Sequence, residues 1–300
     1  MKVLITGGAG FIGSRLARAL RDRAGVTILD VTAPSLDACR VVRGSVLDPD
    51  AVAEAAKGVD VVVHLAGLVR ESMHALPTEG TLLQVGGTRN ILAACGQAGI
   101  PRAILASSFY VYAGNVGEDV VTEGSVPRIE RLDAFGRAKL ASESLCRQAS
   151  AAGGPSYTIL RFGSAYGPGG SNAVGAFIAA SIRGDPIELW GQGQRRNQYT
   201  YVEDIVAGIV SVLEEPDRGR DQVFDLISPE VTTTAELAFI LRDELGCQVR
   251  FVPDRAEGAS LPYMSSAKAA AVLGWSTTPL AAGLRRVITE MGGRLTAGPA

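Results

Sequence analysis

The chain is poor in the residues that build metal sites and disulfide frameworks, with four cysteines and two histidines in 300 residues. Cys39, Cys95, Cys146 and Cys247 stand far apart with no CxxC pair, and His64 and His74 add no ligand spacing, so no metal and no disulfide scaffold is expected. Charge of one sign is lacking too. The 29 lysines and arginines are balanced by 31 acidic residues, a formal net charge of −2, which leaves no basic field to neutralise a phosphate backbone and argues against a nucleic-acid partner. No apolar run reaches 18 residues, and the apolar start of the chain breaks at Gly7-Gly8, too soon for a signal peptide. No membrane association and a reducing, cytoplasmic location are therefore expected. Aromatic residues make up only 6%, with tyrosines at 110, 112, 157, 166, 199, 201 and 263. What is plentiful is glycine, 36 in all, and apolar residues at 47%, enough for a large core in about two average domains' length of chain.

Short β-branched runs alternate with amphipathic stretches over the first half of the chain. Strands are expected at 2–6, 26–30, 40–43, 59–64, 102–106 and 156–161, and helices at about 11–23, 49–57, 79–98 and 133–151. That alternation is the pattern of βαβ units. It predicts an α/β fold, a doubly wound parallel sheet of the Rossmann type, over 1–166. From 167 to 300 the pattern shifts to helices near 173–183, 202–214, 233–245, 265–273 and 280–291, with strands near 187–189, 222–226 and 249–252. This reads as a smaller mixed α/β lobe, with some later segments returning to the first domain. The tail 292–300 is expected to fray.

The first strand runs into Gly7-Gly8-Ala9-Gly10-Phe11-Ile12-Gly13 and then a helix. Glycine at 7 and 10 permits a tight turn whose N–H groups approach a pyrophosphate, the helix N-terminus adds partial positive charge, and Gly13 lets helix and strand pack closely. Asp30 ends the second strand, where a carboxylate would accept from ribose hydroxyls and repel a 2′-phosphate. NAD rather than NADP is the expected cofactor; capping of the following loop is the plainer role for Asp30.

Taken together with His64-Leu65-Ala66-Gly67, Gly87-Thr88-Arg89-Asn90, Ser107-Ser108, Val111-Tyr112, Arg161-Phe162, Ala165-Tyr166-Gly167-Pro168-Gly169, Tyr201-Val202-Glu203-Asp204 and Leu273-Gly274-Trp275, the chain resembles the extended short-chain dehydrogenase/reductases, in their nucleotide-sugar epimerase/dehydratase branch. The resemblance implies that a tyrosinate takes a sugar hydroxyl proton while NAD takes the hydride. It implies a lysine four residues later on the nicotinamide ribose, here Lys139, and a hydroxyl on the reacting oxygen, here Ser108. Cofactor contacts would fall at Gly7, Gly10, Phe11, Ile12, Gly13, Asp30, Ser45, Val46, Leu65, Ala66, Gly67, Gln84, Lys139 and Phe162. Gln84 and Ser45 stand where the family usually has Asn and Asp.

The tyrosine itself is missing. The segment reads Phe135-Gly136-Arg137-Ala138-Lys139, so the family's Tyr-xxx-Lys is Phe-xxx-Lys and the acid/base oxygen is absent. Three readings stand open: an introduced replacement of the tyrosine, a natural protein using another group such as Tyr110, or a protein that binds without chemistry. Phe109 and Tyr110 occupy the positions where 4,6-dehydratases carry Asp-Glu, which disfavours that branch; for Tyr112 packing is expected.

For the substrate, the resemblance points to Ser108, to Ser164 (in place of the usual Asn), to Arg196 and Asn197, and to Arg255. Asn197 stands at the register of the family's usual arginine, Arg195 and Arg196 are neighbouring guanidiniums, and Arg255 matches a later one. Asp204 reads as a helix-capping residue. The expected activity is C4 epimerisation of a UDP- or dTDP-hexose through a transient keto sugar, the alternatives being a nucleotide-sugar reductase or dehydrogenase and a silent binder. By the same resemblance, helices 79–98 and 133–151 would pair two copies into a homodimer.

Overall fold

The computed structural model describes residues 1–33, 39–117 and 119–292; the tail expected to fray lies, from 293 onward, outside the described residues. Seven strands form one parallel sheet: β1 (Lys2–Thr6), β2 (Gly25–Asp30), β3 (Arg40–Arg43), β4 (Val61–His64), β5 (Arg102–Ser108), β6 (Ser156–Phe162) and β7 (Gln222–Leu226), in the order β7-β6-β5-β4-β1-β2-β3. The inner strands are apolar on both faces because helices cover both. Val3, Ile5, Val61 and Val63 pack with α1 (Gly13–Leu20) and α5 (Val202–Glu214), whereas Leu4, Val62 and Leu105 pack with α2 (Pro49–Ala56), α3 (Gly87–Ala98) and α4 (Ala134–Ala151). Each fully buried Val, Leu or Ile contributes about 1.5–3 kcal/mol.

Helix starts follow their caps. Asp48 accepts from the N–H groups of Asp50 and Ala51 ahead of α2, with Pro49 at its first position, and Asp133 accepts from Gly136 N–H at 2.9 Å ahead of α4. The latter fixes the turn that carries Phe135 and Lys139.

Three expectations change. The stretch 79–98 is helical throughout but not α-helical throughout: Pro77–Thr81 runs into α3 through a π-helical turn, Leu82–Gly86, which carries Gln84. The strand at 222–226 does not belong to the small lobe but is the sheet's edge, β7, parallel to β6, because its inward residues Phe224 and Leu226 fit the main core. Asp204 does not cap a helix; its carboxylate accepts from Thr278 N–H at 2.7 Å and Thr278 O–H at 2.9 Å, anchoring the 275–278 segment against α5.

The remaining C-terminal elements, helices Ala173–Ile182, Thr234–Leu245 and Leu280–Glu290 with the paired strands Ile187–Trp190 and Val249–Val252, share a separate core around Tyr166, Ile178, Leu189 and Leu237. Arg15 on α1 joins the two parts, donating to the Pro168 carbonyl at 2.6 Å and pairing with Glu203 at 3.1 Å.

Candidate active site

Strand order reverses at β1, and the crevice at the carboxyl ends of strands flanking such a switch is where open α/β sheets take ligands. A cleft of about 660 Å³ opens there, lined by the turn after β1, the ends of β2, β4, β5 and β6, and the start of α4. At one end the backbone is bare by necessity. Gly7 has φ +71°, and a β-carbon on Gly13 would stand 2.1 Å from the Gly7 carbonyl oxygen. No side chain caps α1; Ser14 N–H is taken by the Gly10 carbonyl at 3.0 Å, but the positive end of the helix, with Phe11, Ile12 and Gly13 lining the cleft, favours an anion there. Asp30 does two things at once: Oδ2 accepts from Ala9 N–H at 2.9 Å and Oδ1 from Thr32 N–H at 3.0 Å, and the residue lines the cleft. Gly167 and Gly170 make room for the Phe11 ring, with added β-carbons lying 3.4 and 3.2 Å from its Cζ.

At the other end Ser108, Tyr110, Phe135 and Lys139 come together. Ser108 ends β5, and its Oγ accepts from Tyr110 N–H at 3.3 Å, starting the 3-10 turn Phe109–Tyr112. Phe135 is 7% exposed and meets Tyr110 edge-on, ring centres 5.9 Å apart. Lys139 Nζ donates to the Ala106 carbonyl at 2.9 Å; burial pushes its pKa down to about 8, opposed by the Glu143 carboxylate. A β-carbon on Gly67 would lie 2.5 Å from Gln84 Oε1 and 4.0 Å from Lys139 Nζ, and that Gln84 oxygen is buried without a partner.

Beneath the cleft, polar groups are locked. His64 Nδ1 and Thr6 Oγ1 share a 2.7 Å hydrogen bond, and Thr6 Oγ1 accepts from Ala66 N–H at 3.2 Å; burial, aided by the charge on Lys139, pushes the imidazole down to about 3, so it is neutral. Glu143 accepts from Ser107 Oγ at 2.7 Å and from Arg161 Nε and Nη2 at 2.8 Å each. Arg161 also donates to Tyr112, whose O–H donates to Asp225 at 2.8 Å. Tyr112 is thus a hydrogen-bonded strut as well as packing, and burial raises its phenol's pKa.

Comparison with known proteins agrees with this geometry. The model of the NAD dependent epimerase/dehydratase family matches residues 3–226. The chain belongs to that family. An uncharacterized UDP-glucose epimerase of Bacillus subtilis, YtcB, is 31% identical over 72% of this chain and 73% of its own length. Among solved structures, MoeE5 in complex with UDP-glucuronic acid and NAD superposes with a TM-score of 0.88 at 30% identity, covering 97% of this chain and 99% of that one. DesIV, a dTDP-glucose 4,6-dehydratase from Streptomyces venezuelae with NAD bound, gives 0.85 at 28%, covering 96% of each chain.

The residues present fit the family's cofactor, NAD. The glycine cradle is one that a β-carbon would close, Asp30 stands at the end of β2, and the unpartnered Gln84 oxygen and the Lys139 ammonium flank Gly67. Gly7, Gly10, Phe11, Ile12, Gly13, Asp30, Ser45, Val46, Leu65, Ala66, Gly67, Lys139 and Phe162 all line the cleft; Gln84 stands behind Gly67. Ser45 Oγ also accepts from Leu47 N–H at 3.1 Å.

Of the substrate candidates, Ser108 and Ser164 line the cleft. Arg196, Asn197 and Arg255 do not: Arg196 is exposed, Asn197 Oδ1 accepts from Gln198 N–H, and Arg255 stacks on Trp190 at 5.2 Å. Of the second-lobe arginines, Arg195 is the one that reaches a lining residue, donating to Tyr110 Oη at 3.3 Å, with its Nε buried and unpartnered. Among the lining residues that the sequence did not point to are Asn172 and Arg70. Asn172 caps helix Ala173–Ile182 and donates to Ala165 O at 2.8 Å; an Asn before an apolar run was its signal. Arg70, held by Asp133 at 2.7 Å, lies over the Tyr110 ring at 4.6 Å, and nothing in its sequence neighbourhood marks it.

Proposed function

We propose that the protein is an NAD-dependent nucleotide-sugar epimerase acting on a UDP- or dTDP-hexose at C4 through a transient keto sugar. One observation carries this reading: a single cleft holds the bare glycine cradle and Asp30 at one end and Ser108 with Lys139 at the other. Bound NAD supplies a hydride acceptor and, later in the same turnover, a hydride donor. Ser108 Oγ orients the reacting hydroxyl, and Lys139 Nζ holds the nicotinamide ribose. Phe109 is buried at 3% exposure and carries no acid, so elimination of water as in DesIV is disfavoured.

Phe135 favours a second reading, a protein that binds NAD and a nucleotide sugar without turning it over. Denaturing the purified protein and assaying released dinucleotide tests the cofactor half. Incubation with UDP-glucose, UDP-galactose, UDP-glucuronic acid and dTDP-glucose tests the rest: epimer formation without net NADH consumption supports the epimerase, stoichiometric NADH consumption with a keto sugar points to a reductase, and binding without product points to the silent protein. Absence of both released dinucleotide and NAD binding refutes both readings.

A cytoplasmic homodimer completes the proposal; no described helix is long and apolar enough to cross a membrane. Leu82, 59% exposed on the π-helical turn, lies on the stretch expected to pair. Light scattering that gives a monomer at micromolar concentration refutes the dimer.

A further inference from the structure

We infer that Tyr110 is the acid/base of this active site, in place of the phenol absent at 135; the inference rests on the proposed sugar oxidoreduction. Tyr110 is the one tyrosine among the described residues lining the cleft. Its backbone is fixed to Ser108 Oγ at 3.3 Å, so the hydroxyl that would orient the reacting oxygen and the phenol are two residues apart on one turn. Its ring abuts Phe135 at 5.9 Å. Phe135 thus fills space beside the phenol.

Three contacts hold the ring and oxygen of Tyr110. Arg70 covers one face at 4.6 Å and is itself held by Asp133. Phe109 lies 4.6 Å away on a tilt. Arg195 Nη2 donates to the phenol oxygen at 3.3 Å. A guanidinium has no lone pair to offer, so the phenol's own O–H cannot point at Arg195 and is free to face a ligand.

Competing groups are committed elsewhere. Among the described lining residues the other ionisable side chains are Asp30, Arg70, Glu71 and Lys139. Asp30 is bound to two N–H groups at the glycine end. Arg70 cannot take a proton, Lys139 Nζ donates to Ala106 O, and Glu71 stands on the exposed first turn of helix Arg70–Ala75. The step balances as follows: once its O–H proton has passed to water, the Tyr110 oxygen takes the sugar hydroxyl proton as the hydride leaves that carbon for NAD⁺, giving C=O, phenol and NADH. Return of hydride to the opposite face, with the phenol proton returned to oxygen, gives the epimer and restores the phenolate.

The experiment compares wild type, Tyr110→Phe, Phe135→Tyr and the double variant on UDP-glucose, UDP-galactose, UDP-glucuronic acid and dTDP-glucose, with NAD and sugar affinities measured in parallel. Wild type is expected to turn over at least one sugar, and Tyr110→Phe to lose about 100-fold or more in kcat with sugar and NAD Kd unchanged. An active wild type whose Tyr110→Phe variant keeps its kcat overturns the inference. So does an inert wild type that binds NAD and sugar and becomes active only as Phe135→Tyr, a result that leaves the proposed chemistry intact. If wild type and Phe135→Tyr both neither bind nor convert any sugar, the proposed function fails and the role of Tyr110 falls with it.

Discussion

Lys139 Nζ donates to the carbonyl oxygen of Ala106 at 2.9 Å, tying the first turns of α4 to the cleft end of β5. The lysine is buried and its pKa lies near 8, below its usual range, because burial penalises the charge more than Glu143 favours it. A group depressed in the folded state adds stability above its unfolded pKa and loses it as pH falls through the folded value. Keeping the ammonium at neutral pH therefore costs stability. Lys139→Met is expected to be as stable as wild type or more so at pH 7, with a smaller gain than wild type between pH 8 and 10. Its NAD affinity should fall at least about tenfold, or 1.4 kcal/mol. Urea unfolding at pH 7, 8 and 10 and an NAD titration check this; unchanged NAD affinity would remove Lys139 from the cofactor site.

Beside that lysine, Glu143 and Arg161 form a buried pair, 0% and 3% exposed at their side chains. Arg161 grips both carboxylate oxygens at 2.8 Å, and Ser107 takes one of them as well. Glu143 would keep Arg147 at 3.0 Å if Arg161 were lost, but removing Glu143 leaves the buried Arg161 guanidinium without its bidentate carboxylate, which costs about 3–5 kcal/mol. Glu143→Leu is expected to lower Tm by on the order of 10 °C. The double variant Glu143→Leu/Arg161→Met should recover part of that loss, since the guanidinium is no longer left without its carboxylate. Calorimetry on the three proteins decides, and equal Tm values for wild type and Glu143→Leu would show that the pair is not desolvated.

How far the sequence alone could reach is visible at particular residues. Local signals carried through: the β-branched runs became β1 to β6, and Gly7 and Gly13 sit where a β-carbon would collide. Signals that depend on distant partners did not. The run 222–226 reads as a strand in any fold, and only Thr158–Phe162 opposite it makes it the edge of the main sheet. Nothing in the pattern of Leu82–Gly86 marks its π-helical turn, which carries Gln84 facing Ser142 and Gly67. Among the arginines, one residue of register decides the outcome: Arg195 reaches Tyr110, and Arg196 faces outward.

At the far end of the polar chain, Asp225 accepts from Tyr112 at 2.8 Å, and its pKa is pushed up to about 8, chiefly by burial and then by the nearby Glu123 carboxylate; Arg161 and the Tyr112 hydrogen bond act the other way. A raised folded pKa means that the native state holds a proton the unfolded chain gives up. That contribution is complete below the unfolded pKa, near pH 4, and declines as pH rises through about 8. Asp225→Asn keeps an acceptor for Tyr112 but does not titrate. The stability difference, Asp225→Asn minus wild type, is therefore expected to grow in favour of the variant from pH 4 to 8 and then level. Chemical denaturation at pH 4, 6, 8 and 9 tests it, and a difference flat across that range would mean the carboxyl ionises normally.

Asp30 offers the clearest test of cofactor choice. Its two oxygens already hold the Ala9 and Thr32 N–H groups at 2.9 and 3.0 Å, yet each carboxylate oxygen has a further lone pair, and the residue lines the cleft. Both roles weighed from the sequence are therefore compatible in one side chain. The negative charge matters only for cofactor discrimination: a 2′-phosphate brought within about 4 Å of it would meet a repulsion of roughly 1–4 kcal/mol. Asp30→Asn keeps an acceptor for one of the two N–H groups and removes the charge. It is expected to weaken NAD by several-fold, through the lost ribose contact, and to strengthen NADP, so that the ratio of the two affinities falls at least about tenfold, or 1.4 kcal/mol. Fluorescence titration of wild type and Asp30→Asn with both dinucleotides reads the ratio directly. If it does not move, the carboxylate only organises the loop, and discrimination must reside in other groups at the mouth of the cleft.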